Sequence, residues 1–204
     1  MKVRALAITA LAVVVSGTAA RAADPRYPDW PCTQAKVPEI SLAAVWAGPA
    51  LDDAETRWKD DAKVSALVSK LSARKTPLDD AEKSVKEFLA SSGSDKTGNA
   101  KLLFAGLFDT LNAQRSQVMR GLERVSRKQR EAADKIRDDT VQLQALQDAT
   151  PRDEAKVEAF SNQLIWETRI FEDRRKVVRF VCEVPTAIDQ RLFALGRVIQ
   201  QELE

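Results

Sequence analysis

Between Lys101 and Ala149 the chain runs without proline and with only two glycines, Gly106 and Gly121. Apolar side chains recur there at heptad spacing: Phe104, Phe108, Leu111, Val118, Leu122, Val125, Ala132, Ile136, Leu143 and Leu146. A pattern sustained over about six heptads commits the segment to one long helix with a stripe meant for a partner helix. Thr150-Pro151 interrupts it as a cap followed by proline, and Asp153 and Glu154 suit a new helix N-terminus. A second periodic run follows through Val157, Phe160, Leu164, Phe171, Val178, Val181, Ile188, Leu192, Leu195 and Ile199. Two long helices joined by a tight turn predict an antiparallel, coiled-coil-like hairpin. Its arms span about residues 99–149 and 151–204, roughly 75 Å each if straight. Pro185 should kink or interrupt the second arm, because it lacks a backbone donor and clashes with the preceding turn.

Shorter helices precede the hairpin. Ser41 is placed to cap one running through Trp46 and ended by Gly48-Pro49, and a second is expected from about Asp52 to Ala73. Thr76-Pro77 opens a third, which stops near Ala90 in the polar stretch Ser91 to Gly98, read as the most flexible internal segment. The second arm also carries a surplus stripe of Ile165, Trp166, Ile170, Val177, Phe180 and Val184. A lone hairpin cannot bury two stripes, so the short helices are expected to pack on its base near Trp166 to Val184, leaving the tip around Thr140 to Asp153 projecting. A homodimer interface is the alternative use of that stripe. The expectation is thus an all-α fold, with residues 41–204 as a single helical domain.

The first residues read as an export signal. Lys2 and Arg4 precede an apolar run of 11 residues from Ala5 to Val15, and Ala20-Arg21-Ala22 fits an A-x-A cleavage site before Ala23. Residues 1–22 are therefore expected to be removed, placing the protein in the periplasm. The apolar run is too short to span a bilayer and no other segment approaches the needed length, so the chain is not expected to span a membrane. Loss of Lys2, Arg4 and Arg21 turns 32 basic groups into 29 against 30 acidic ones. Such a balance does not point to nucleic acid.

Cys32 and Cys182 are the only cysteines, and in an oxidising compartment a pair this far apart predicts a structural disulfide. It would anchor an extended, Pro-rich arm over residues 23–40, in which Pro25, Pro28, Pro31 and Pro38 preclude regular helix. Tyr27 and Trp30 are expected to pack near Cys182.

Polar groups interrupt both seams: Arg115, Gln129 and Asp139 on the first, Glu167 and Arg174 on the second. With the turn at Thr150-Pro151, Gln129 should face Glu172 and Arg174, and Arg115 should face Pro185. Such groups fix register, or form a polar site. Arg120, Arg124, Arg127 and Lys128 on one arm, with Arg174 and Arg175 on the other, form a mid-hairpin basic belt suited to an anionic lipid or polymer or an acidic partner. The i to i+4 pairs Glu123 with Arg127 and Glu131 with Lys135 fit an ordinary solvated face equally well.

The chain has no histidine, which removes His-dependent triads, His metal clusters and His general bases. Adjacent carboxylates such as Asp138-Asp139 diverge by about 100° on a helix and do not make a two-carboxylate site. No catalytic residue, cofactor or metal is expected, and the chain is read as non-enzymatic. Leu111-Asn112-Ala113-Gln114-Arg115 resembles, over five residues, the L-T-x-x-Q motif of periplasmic helical-hairpin stress chaperones, with Asn in place of Thr and the spacing one residue short. The reading that follows is a periplasmic helical scaffold or adaptor presenting its hairpin to a protein partner. The alternatives are a chaperone-like envelope-stress binder, or a binder of anionic lipid or polymer through the belt.

Overall fold

The computed structural model describes residues 24–204. The export signal expected over residues 1–22, with its cleavage site, lies outside them. Among the described residues the regular structure is all helical: α1 Leu42–Val45, α2 Ala54–Arg57, α3 Ala62–Ser72, α4 Leu78–Ala90, a 3₁₀ turn at Gly93–Asp95, α5 Lys96–Asp148, α6 Glu154–Val181 and α7 Glu183–Gln201. Helix α5 has 53 residues and is about 80 Å long. Its contacts with α6 and α7 run antiparallel. The Phe104 ring lies against Gly196, Arg115 meets Asp189, Gln129 meets Phe171 and Lys135 meets Glu167. None of these helices is both long and apolar enough to cross a membrane.

The core lies at the base of this pair. Leu103, Phe104, Leu107 and Leu111 of α5 pack with Val64, Val68 and Leu71 of α3, Val85 and Leu89 of α4, and Leu192, Leu195 and Ile199 of α7. Phe104 stacks on Trp46 at 4.2 Å between ring centroids. Two close approaches need a residue without a side chain. A Cβ on Gly106 would come within 2.6 Å of Val68 and 2.9 Å of Trp58, and one on Gly196 within 2.8 Å of the Val45 carbonyl oxygen. Beyond Leu122 no residue of α5 is buried, and α6 buries only Val157. Where only two helices meet, each inward side chain is covered from one side. At the base it is enclosed by several helices.

Sequence and structure differ at the helix boundaries for local reasons. The helix expected over Asp52 to Ala73 is two, because the Asp61 carboxylate accepts from the Lys63 and Val64 amides at 2.9 and 3.0 Å and starts α3 afresh. Thr76 does not cap α4: its hydroxyl donates back to the Lys70 carbonyl at 2.8 Å, and Pro77 holds the cap position. Asp153, rather than Thr150, caps α6 by accepting from the Lys156 amide at 3.1 Å. Ser91 to Gly98 is a tight connection. The Ser91 and Ser92 hydroxyls donate to the Phe88 carbonyl, and α5 already includes Thr97 and Gly98.

The second arm breaks at Cys182, between α6 and α7, and Pro185 occupies the first turn of α7, where its missing N–H costs nothing. The arm's start is not extended. Pro25 and Pro28 each hold the second position of a turn, closed by Tyr27 N–H to Asp24 C=O at 2.9 Å and Trp30 N–H to Tyr27 C=O at 3.0 Å. The surplus stripe is the largest departure. Helices α1–α4 cover the start of α5 and α7, so Val184 packs on the core, whereas Ile165, Trp166, Val177 and Phe180 stay exposed.

Two outcomes check this layout by urea unfolding followed by circular dichroism. Leu111→Ala should cost about 3 kcal/mol and Leu143→Ala less than about 1 kcal/mol. Gly121, with nothing nearer than 3.9 Å to its Cβ position, should gain about 0.5–1 kcal/mol on substitution by Ala, whereas Gly106→Ala should lose about 1–3 kcal/mol.

Candidate functional site

Helix α6 turns its inward residues, Leu164, Phe171 and Val178, toward α5. On the opposite side Ile165, Trp166, Val177 and Phe180 fall within about 120° of arc. Trp166 is 62% and Phe180 77% exposed, and the spacing Trp166, Ile170, Asp173, Val177, Phe180 alternates four and three residues, as in a seam made for another helix. Lys176 pairs with Asp173 at 3.1 Å. Arg169 falls within the same arc, between Ile165 and Phe180, and Arg179 lies at its edge, and neither has an ion pair among the described residues. The face thus intersperses apolar side chains with charged ones, and with Lys176 paired to Asp173 its unpaired charges are basic. Single exposed apolar residues are ordinary, and four on one face of one helix make this face the candidate site.

Between the two arms several seam polar groups are paired. Gln129 donates to the Phe171 carbonyl at 3.0 Å, one to three residues from the Glu172 and Arg174 it was expected to face. Lys135 bridges Asp139 at 2.6 Å and Glu167 at 2.7 Å, which raises the Lys135 pKa and lowers that of Glu167. Arg115 is buried beside Asp189 at 2.7 Å, one turn past Pro185, and donates to the Pro38 carbonyl at 3.3 Å. Burial pushes the Asp189 carboxyl up despite the attraction of Arg115. These seam groups therefore have partners within the chain that hold the register of the two arms.

The proline-rich arm lies along α5, with Cys32 bonded to Cys182 at the break between α6 and α7. Asp29 pairs with Arg127 at 2.7 Å and with Arg130, Lys36 pairs with Glu123 at 2.6 Å, and Gln34 donates to Glu183 at 3.0 Å. Trp30 is half-buried and its indole N–H donates to the Gln34 carbonyl at 2.7 Å, while Tyr27 lies beneath Lys36, whose Nζ is 4.4 Å from the ring centre. The arm thus takes up part of the belt expected to meet an outside anion. Arg120, Arg124, Lys128, Arg174 and Arg175 are exposed and have no ion pair among the described residues. Arg175 lines a cleft of about 260 Å³ with Pro31, Arg130 and Arg179, and Arg174 lines another of about 210 Å³ with Lys135 and Glu167.

Compared with family models, curated proteins and solved structures, the chain finds no match. The outer face of α6 was visible in the sequence as the surplus stripe, although its exposure was not. Asp29 as counter-ion to Arg127 and Arg130 was missed. Its only signal was an acid three residues before a cysteine that ties it to the belt.

The Arg127 and Arg130 guanidiniums hold the Asp29 carboxyl below its ordinary value of 3.8, Arg127 contributing more. A lowered carboxyl pKa stabilises the docked arm above the ordinary value, and that contribution is lost as pH falls through the folded one. A ¹³C NMR titration of the Asp29 carboxyl should give a midpoint under 3.8, raised more by Arg127→Gln than by Arg130→Gln. A midpoint at or above 3.8 would show that the arm is not held by this pair.

Proposed function

We propose that this protein is a non-enzymatic periplasmic scaffold or adaptor that offers one face of a coiled-coil hairpin to a protein partner. The exposed ridge of Ile165, Trp166, Val177 and Phe180 on α6 carries the proposal. A disulfide joining positions 150 residues apart supports an oxidising compartment. Absence of histidine supports a role in binding rather than in acid–base chemistry. The partner's chemistry follows from the make-up of this face: a helix with an apolar stripe at heptad spacing that also carries acidic residues to meet Arg169 and Arg179. Large aromatic side chains such as Trp166 are the usual centres of binding energy in such contacts.

A photo-crosslinker at Val177, in the full exported chain expressed in its own cell envelope, should trap one defined adduct. Trp166→Ser and the charge reversal Arg169→Glu with Arg179→Glu should each abolish it while leaving the circular dichroism spectrum unchanged. Adducts with copies of this chain alone would replace the partner by a homodimer. Adducts with many unrelated unfolded proteins would favour the chaperone-like reading.

A further inference from the structure

At the base a cleft of about 250 Å³ opens between the end of α3, the start of α4, the first third of α5 and the first half of α7. Its apolar lining includes Leu111 of α5 and Val184 and Ile188 of α7, and its polar lining includes Arg74, Arg191 and Gln114. Arg191 is only partly exposed. Its Nε donates to the Leu71 carbonyl at 2.6 Å, capping the end of α3, while its Nη2 is buried without a hydrogen-bond partner. A buried N–H left unsatisfied costs about 1–3 kcal/mol, more when the group is charged. Arg74, in the turn after α3, lines the same cleft and has no carboxylate partner among the described residues. Charge on Arg191 is opposed by burial, and an anion beside it would relieve that opposition.

The geometry points to a binding site for a small amphiphilic carboxylate, whose oxygens accept from Arg191 and Arg74 and whose short apolar body lies along Leu111, Val184 and Ile188. Guanidinium is the side-chain cation best matched to a carboxylate, since its donors form a planar fork. The space suits a ligand on the order of ten non-hydrogen atoms, well below drug-sized pockets. The lining residues of this cleft do not include those of the exposed α6 face, and the inference stands independently of the proposed scaffold role.

Octanoate is a suitable probe and octanol its uncharged counterpart. In a ¹H–¹⁵N NMR titration of the oxidised, signal-free chain, octanoate should shift the side-chain amides of Gln114 and Gln190 saturably. Octanol should bind at least about tenfold more weakly. Arg191→Gln and Arg74→Gln should each weaken octanoate by about tenfold or more. Arg74 makes no contact that holds the fold, so its variant keeps the test valid even where loss of the Arg191 cap loosens α3. Equal binding of octanol, unchanged affinity in Arg74→Gln, or shifts confined to Trp166 and Phe180 would overturn the proposal, as would the lack of any saturable shift.

Discussion

Everything above the base of this molecule depends on how closely helices approach around Phe104. Its ring is sandwiched between Trp46 and the bare backbone of Gly196, and two residues along Gly106 admits Val68 and Trp58 just as closely. These contacts join α1, α2, α3, α5 and α7 into one core. Dispersion and the hydrophobic effect reward density, and only here does each apolar side chain have neighbours on several sides. Farther along, α5 and α6 have only each other, and no α5 residue past Leu122 is buried.

Such a long arm needs its register held, and polar groups do so. Arg115 to Asp189, Gln129 to the Phe171 carbonyl and Lys135 to Glu167 are spaced along the pair, each tying a residue of α5 to one opposite. Polar contacts of this kind, buried at Arg115 and exposed at Lys135, add little net stability but penalise every slipped alignment. The proline-rich arm adds a third strand of contacts. It runs from Asp29 at Arg127 and Arg130 to Pro38 at Arg115, and is pinned midway by Cys32 to Cys182. That bond sits where α6 gives way to α7.

Much of this was legible in the sequence. Heptad spacing from Phe104 to Leu146 and from Val157 to Ile199 located the long helices, and two isolated cysteines identified the bridge. What stayed hidden depended on competition among local hydrogen bonds or on three-dimensional placement. Thr76 and Thr150 had the right chemistry for caps, but the Thr76 hydroxyl found the Lys70 carbonyl and Asp153 supplied the cap for α6. Pro25 and Pro28 signalled the absence of helix but could serve extended chain or turns, and the backbone bonds from Tyr27 and Trp30 close turns. The surplus stripe on α6 was plain as a pattern. Its fate depended on where α1–α4 settled, and they settled against α7 and the first half of α5. Arg191 offered no signal at all, because a lone arginine in an amphipathic helix looks like any solvated charge.

Hydrogen exchange measured amide by amide along α5, in the dilute oxidised protein, tests most directly whether the fold is anchored at its base. Amides from Leu103 to Leu122 should exchange only through global unfolding, and those from Ile136 to Asp148 through local opening of much lower free energy. Equal protection along the whole of α5, out to Asp148, would contradict this account, because it would mean that the distal half is buried as deeply as the base.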